Sequence, residues 1–518
     1  MSPAPFRGLS LWGARVRSVP PSLTGGDFSG DVFRAAAGTA VSRLVGLARE
    51  VVLAHVFGAS AALDAFFIAY FVPNLLRRLL GEGGMAAAFL PLYARALRQG
   101  GGPSLARTTA IALFALLIPL CTLGIGLSPL YVRVLAQGFP PEKLALAAGL
   151  ARWTFPFLAF ASFAALAGAI LNAHGRFFLP AVAPSAWSLG LIVGALVISR
   201  LVSPPVLGLA MGLLLGGTGM VAIQAPAVWP HFQGEGPIAW GELREMGRRL
   251  LPILGGLAVA EVNLLVDNRL ASYLADGSVA ILQYAMRLFQ LPLGILAVSV
   301  ATAALPRLSA RAAAADRPGF ARALSRGVGL GTALLLPATA GLLVLGRPLV
   351  ELLFEHGAFT VADTAGTTAA LTAYLSGLWA YGLVYLFSRA FYALGRPGIP
   401  VLTAAVAVGV NVGLDLLWVG PWGTFGLALA TGMAGWVDAV LQGALLWRRG
   451  GGWIPWRAAG TAGLAGLGMG LLLWVLDRLA LAALSPWGRV LWGVPAGLLL
   501  YLSFGRLLGL PRALKGAG

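Results

Sequence analysis

The sequence has a single cysteine, Cys121, which excludes a disulfide framework. Its four histidines, His55, His174, His231 and His356, are scattered and form no metal-ligand spacing. It contains no nucleophile elbow, no phosphate-binding Walker loop and no Asp-rich diphosphate motif, so catalysis has nothing to stand on. Charge is scarce as well. Only 11% of residues are Asp, Glu, Lys or Arg, where a soluble domain carries about 25%. Soluble-domain counting from chain length therefore does not apply.

What is present is apolar. The chain of 518 residues is 58% hydrophobic, with a mean hydropathy of +0.84. A membrane crossing needs ~20 mostly apolar residues, and on that rule the chain reads as an all-α polytopic membrane protein of about fourteen spans. Net charge is +18. In a soluble protein that would suggest nucleic acid. Here the basic residues fall between spans and follow the positive-inside rule, which excludes a nucleic-acid partner and puts both termini in the cytoplasm. Residues 1–30 carry Arg7, Arg15 and Arg17 around an apolar run too short for a signal peptide, and read as a cytoplasmic tail.

An internal repeat sets the domain plan. Gly175-Arg176 followed by Pro180 and Gly395-Arg396 followed by Pro400 share one pattern, 220 residues apart; Leu90-Pro91 and Leu305-Pro306 are 215 apart. Six spans per unit preserve orientation, so this is a parallel repeat. It predicts a lobe at 31–230, a second lobe at 231–450 and a two-helix appendage at 451–518. Pro73, Pro156, Pro292 and Pro337 fall inside spans and can bend them. Gly81, Gly83 and Gly84 mark a predicted hinge in the second span.

The most telling stretch is Ser42 to Pro91. Into two apolar runs it places Arg43, Arg49, Glu50, Asp64, Arg77, Arg78 and Glu82. An ionised side chain at mid-membrane costs at least ~2.5–3.5 kcal/mol, and such charges normally face a bundle interior or a water-filled path. Arginines without lysine suggest an anionic ligand, because guanidinium stays charged when desolvated and grips phosphate oxygens in a fork. The plain alternative is that they pair with Glu50 and Glu82 and pin helices. Arg287 is the lone charge in the body of the corresponding span of the second unit, which puts arginines on both sides of a cavity between lobes. Asp267, Asn411 and Asp415, with Thr431, offer hard oxygen ligands for Na⁺, proton carriers, or interhelical hydrogen bonds. Glu261 and Asp438 have no assigned role.

The run SRLVGLARE, then FGASAALDAFFIAYFVPNLLRRLLGEGGMAAAFLPLYA, closely resembles the signature of the MurJ (MviN) lipid II flippases, of the multidrug/oligosaccharidyl-lipid/polysaccharide exporter superfamily. The likeness continues through LNAHGRFFLPAVAP and YAMRLFQLPLGILAVSVATAALPRLS and covers the chain after residue 30. It implies a non-enzymatic transporter of the bacterial inner membrane, acting as a monomer. The implied cargo is lipid II, the undecaprenyl-pyrophosphate-linked peptidoglycan precursor, carried to the outer leaflet by alternating access. An ion gradient or the membrane potential would drive it. The implied substrate residues are Arg43, Arg49, Glu50, Asp64, Arg77, Glu82 and Arg287. The implied sodium ligands are Asp267, Asn411, Asp415, Thr431 and the Leu427 carbonyl, and the last two spans would hold the polyprenyl tail. Met286 stands where some members carry an acid, which removes one salt bridge to Arg287. The rival readings are another exporter of the same fold, for a polysaccharide-repeat lipid or a drug, and a polytopic lipid-modifying enzyme.

Overall fold

The computed structural model describes residues 28–79, 85–234, 236–450 and 454–516, and contains no strand among them. Glu82, the predicted Gly81–Gly84 hinge and nearly all of the 1–30 tail lie outside the described residues.

In chain order the helices are α1 (Phe28–Phe57), α2 (Ala61–Arg77), α3 (Ala86–Arg98), α4 (Gly102–Gly126), α5 (Ser128–Leu135), α6 (Pro141–Thr154) and α7 (Phe157–Ala173). Next come α8 (Phe178–Leu196), α9 (Leu207–Val228), α10 (Trp240–Ala271), α11 (Ser278–Pro292), α12 (Val298–Ala313) and α13 (Arg317–Phe354). The last are α14 (Val361–Leu375), α15 (Leu378–Ala393), α16 (Gly398–Gly450), α17 (Trp456–Leu476), α18 (Pro486–Leu507) and α19 (Leu510–Gly516). Proline explains two of the breaks. Pro156 separates α6 from α7, and Pro292 is followed by a wider π-type turn, Leu293–Ala297, before α12.

Among the described residues, nine helices are long and apolar enough to cross a membrane, or ten when α14 and α15, bent by 45°, count as one span. The fourteen spans read from hydropathy are not all picked out by that test, for physical reasons. α16 is longer than a single crossing and is interrupted at Gly423, whose φ of 53° and ψ of −131° are not helical. α1 carries Arg43, Arg49 and Glu50 within its apolar stretch, and α2, at 17 residues, is short for a crossing.

α1 packs along α8, α8 on α9, and α2 on α6; further along, α10 and α15 pack on α16, α11 on α14, and α13 on α17 and α18. The α8–α9 contact is the tightest. A Cβ on Gly190, Gly194, Gly212 or Gly216 would fall on the backbone of the facing helix. Small residues permit such approach, and close packing is what holds helices together where lipid removes the hydrophobic drive.

The repeat is visible at helix ends. After α7, Gly175 (φ 74°) donates to Asn172 O at 3.1 Å and Arg176 N to Leu171 O at 2.9 Å. After α15, Gly395 (φ 67°) donates to Tyr392 O at 3.0 Å and Arg396 N to Phe391 O at 2.9 Å. Both are Schellman caps, in which a left-handed residue turns two amides back onto orphan carbonyls. A second pair closes α3 and α12. Gly101 N and Asp316 N reach back to Ala96 O and Arg311 O at 2.9 and 3.0 Å, with Gly100 (φ 79°) and Ala315 (φ 52°) in the left-handed position. Asp316 then caps α13, accepting from Gly319 N at 2.8 Å and Arg311 Nη1 at 2.7 Å, which holds its carboxyl below the ordinary aspartate value.

Candidate functional site

A cavity of about 760 Å³ opens between α1, α10, α11, α15 and both halves of α16. Arg43, Arg49 and Glu50 from α1 and Arg287 from α11 form one wall. Asp267, Thr431, Asp438, Tyr381 and Tyr385 line it too. The cavity lining therefore holds both guanidiniums and carboxylates.

The cationic wall is held by a short network. Glu50, 5% exposed, accepts from Arg49 beside it and from Arg287 Nε at 3.0 Å. With Met286 in the place of an acid, Glu50 on the other helix serves as the counter-charge to Arg287. Arg49 Nη1 also reaches Ser188 Oγ at 3.4 Å. Arg43 lies against Gly294, where a Cβ would come within 3.4 Å of its Nη1.

Arg77 is not in the cavity wall. It is buried behind it, donating through Nε and Nη2 to Asn74 Oδ1 at 3.1 and 2.9 Å. The Tyr70 hydroxyl donates to the same oxygen at 2.9 Å and lies within electrostatic reach of Arg77, Arg49 and Arg287 together. Arg49 and Arg77 meet at Trp187 of α8, with Cζ atoms 4.5 and 5.3 Å from its ring centroid. Arg78, expected to pair with Glu82 if it paired at all, is 3.1 Å from Glu261 of α10, which gives that acid a partner.

Asp64 stands apart from the arginines. Fully buried in the first turn of α2, it accepts Gly277 N at 2.7 Å and Ala280 N at 2.9 Å, the first amides of α11. It also meets Lys143 Nζ of α6 at 2.9 Å, and Lys143 continues to Asp276 at 2.6 Å. A carboxylate at a helix N-terminus satisfies orphan amides and meets the positive end of the helix dipole. This end of the molecule is sewn shut by further bonds. Ala358 N donates to His55 O at 2.8 Å, and Gly138 N to Ser272 Oγ at 3.0 Å.

The predicted ion ligands partly converge. Asn411 Nδ2 donates to Asp415 Oδ2 at 2.5 Å and to Asp267 Oδ1 at 3.4 Å, so three of the five form one cluster, with Asp267 at the cavity and the other two buried. Thr431 Oγ1 donates to Leu427 O at 3.1 Å, and Thr431 shares the cavity wall with Asp267. Among the described residues no hydrogen bond joins Thr431 or Leu427 to the carboxylates, and no three His, Cys, Asp or Glu side chains gather as a metal cluster. Asn411 Oδ1 and Asp415 Oδ1 are nonetheless buried without a hydrogen-bond donor. Orphaned hard oxygens beside two carboxylates are the chemistry a hard monovalent cation would satisfy, so the donor set fits Na⁺.

Residues 53–484 match the family described as lipid II flippase MurJ. The chain belongs to the MurJ family. It is 32% identical over 469 residues to a probable lipid II flippase MurJ of Vibrio cholerae, covering 85% of this chain and 88% of that one. It is 31% identical over 482 residues to the lipid II flippase MurJ of Burkholderia cenocepacia, covering 86% and 92%. Among solved structures it is similar to lipid II flippase MurJ in an inward closed conformation, with TM-score 0.80, 28% identity, and 91% and 98% of the two chains covered. An inward-facing MATE multidrug transporter, 16% identical with TM-score 0.67 over 81% and 98%, shares the fold alone. MurJ membership agrees with an all-helical, multi-pass membrane protein. The arginines were legible in sequence because charge inside an apolar run is rare. Trp187, Ser188, Asn74, Tyr70 and Lys143 were not, since each is an ordinary residue for its surroundings until its neighbours are known.

Proposed function

We propose that this protein is a lipid II flippase of the bacterial inner membrane. It moves the undecaprenyl-pyrophosphate-linked peptidoglycan precursor from the inner to the outer leaflet by alternating access and performs no covalent chemistry. The carrying observation is the cavity lined by Arg43, Arg49 and Arg287, in a chain of the MurJ family. A pyrophosphate bears two or more negative charges, and several guanidiniums can share it in bidentate fashion. Glu50 keeps the empty wall from self-repulsion and is displaced toward Arg49 as phosphate oxygens take Arg287. Arg77 completes the charge from behind the wall.

In the same reading the chain makes fourteen crossings, in lobes at 31–230 and 231–450, with the polyprenyl tail along the appended helices at 451–518. It works as a single chain. Both termini lie in the cytoplasm, and the end closed by Asp64 and Lys143 is the outer face. Asp267, Asn411, Asp415, Thr431 and the Leu427 carbonyl would hold Na⁺, which would neutralise carboxylates that otherwise repel. An ion biases the transport cycle only through unequal affinity for the inward and outward states.

The deciding experiment is depletion of the protein followed by assay of lipid II on each leaflet. Lipid II should accumulate on the inner leaflet; an unchanged distribution would overturn the reading. Orientation is tested by impermeant labelling in a Cys121→Ala background. Glu142→Cys and Ala362→Cys, both exposed, should label from outside and Ala314→Cys should not. The reverse pattern would reject the orientation. Gly138 suits this less well, because a side chain there would meet the backbone of Ser272 and Tyr273.

A further inference from the structure

We propose that Tyr501 of α18 is a positioning residue for the tail of the cargo. Its hydroxyl replaces the backbone donor that Pro337 removes from α13, and so fixes the appended hairpin of α17 and α18 in register on the bend of that helix. The inference rests on the placing of the polyprenyl tail along those helices above.

Pro337 lies inside α13. A proline there has no N–H to give the carbonyl four residues back, and its ring pushes that carbonyl aside. The carbonyl belongs to Ala333, a buried residue. Inside a membrane no water replaces the lost donor, and a neighbouring helix has to supply one. Here the neighbour is α18. The Tyr501 hydroxyl, buried as well, donates to Ala333 O at 2.7 Å. α17 comes close to the same bend, where a Cβ on Gly466 would stand 3.7 Å from Pro337 N. The arrangement recurs at Pro73 of α2. There the freed carbonyl of Ala69 accepts from Thr154 Oγ1 of α6 at 2.9 Å. In both helices a side chain from a neighbour fills the gap that a proline opens, so the Tyr501 bond answers a specific need of α13.

The place of the bond gives it a function. Ala333 is next to Thr332, whose hydroxyl accepts from Trp379 Nε1 of α15 at 3.0 Å. α15 in turn lines the cavity with Tyr381 and Tyr385. At one level of α13, therefore, one residue is bonded toward the cavity and the next toward the hairpin. The hairpin exposes Leu467, Leu471, Leu498 and Leu502, an apolar surface suited to an isoprenoid chain. A cargo with its charged head in the cavity and its tail on that surface spans both, so its binding depends on their separation. Arg489 of α18 pairs with Asp477 at 2.6 Å and lies 4.0 Å from Glu351 of α13. That tie keeps the hairpin attached when Tyr501 is altered, and leaves its register to the hydroxyl.

The test uses the purified full chain in nanodiscs as parent, Tyr501→Phe, Pro337→Ala and the double variant. Binding of polyprenyl pyrophosphate and of inorganic pyrophosphate is measured for each, with thermal melting alongside. Tyr501→Phe keeps the ring and removes the hydroxyl. It should lower affinity for the polyprenyl compound about fivefold, the scale of one hydrogen bond, and leave that for inorganic pyrophosphate unchanged. Pro337→Ala returns an N–H to the helix and makes the hydroxyl dispensable. The double variant should therefore bind and melt as Pro337→Ala does. An unchanged affinity for the polyprenyl compound in Tyr501→Phe, an equal loss for both ligands, or the same loss on both backgrounds would overturn the proposal. A parent that binds neither ligand, or both equally, would instead overturn the reading on which the inference rests, and the tail role with it. Melting of the four proteins would then still decide the bond, which stands only if Tyr501→Phe lowers melting in the parent and not beside Pro337→Ala.

Discussion

Glu50 on α1 and Arg287 on α11 are joined in the cavity wall by an ion pair of 3.0 Å, and Arg49 completes the triad from the residue next door. One carboxylate thus restrains two cations. Glu50→Gln keeps the shape and removes the charge. Charge-assisted bonds of this kind are worth ~1.5–3 kcal/mol, and Arg287, 44% exposed in its side chain, favours the lower end. The variant should melt lower, with a loss of about 1–2 kcal/mol. Inorganic pyrophosphate should restore more stability to it than to the parent, because the added anion takes over the missing counter-charge. Equal melting of variant and parent, or equal response to pyrophosphate, would show that Glu50 does not restrain the site.

The Asp64 cluster leads to a prediction about access. Asp64 ties α2 to the first amides of α11 and to Lys143. Asp64→Ala removes all of these bonds, whereas Asp64→Asn keeps acceptor capacity and loses only charge. Gly46, in the cavity wall with room for a side chain, serves as reporter. With Cys121→Ala and Gly46→Cys, labelling from outside should rise severalfold in Asp64→Ala and less in Asp64→Asn. An unchanged rate in Asp64→Ala would remove Asp64 from the closure.

For the carboxylate cluster the measurement is ion-dependent melting of purified protein. A ligand present at a hundred times its dissociation constant stabilises by ~2.7 kcal/mol. Na⁺ should raise the melting temperature above K⁺ at matched ionic strength, and Asp267→Ala and Asp415→Ala should abolish the difference. If Na⁺ and K⁺ act alike on the parent, the site serves protons or structure.

Ala315 occupies the left-handed position that its counterpart Gly100 fills with glycine. That conformation costs an L-residue ~1–2 kcal/mol, of which glycine gives back ~0.4–1 through its more flexible unfolded state. Ala315→Gly should therefore stabilise by about 0.5–1 kcal/mol, read as a small rise in melting temperature with transport unaffected. A fall in melting temperature would contradict the strain argument.

How much of this was legible beforehand depends on what kind of signal each residue sends. Glu50, Arg49 and Arg287 declared themselves as charge where charge is costly, and they meet. Asp64 sent the same signal for a different reason, since burial against helix amides tolerates a carboxylate as well as a ligand path does. Trp187 sent none, because an aromatic residue in an apolar helix is ordinary packing until two arginines are found over it. Gly175 and Gly395 suggested a duplication through spacing, and each sits in a helix cap of the same hydrogen-bond pattern. The span count was obscured by the charges in α1, by the shortness of α2 and where Gly423 interrupts α16.

α11 is moored twice to the N-terminal helices, at its N-terminus by Asp64 of α2 and midway by Glu50 of α1 through Arg287. In the proposed cycle, cargo arriving at the arginines would compete for the second mooring and leave the first untouched. An empty carrier would be held by both ropes, and a laden one by a single rope. Departure would then depend on freight, which would spare the membrane idle crossings and the leak of unwanted lipids that each would carry.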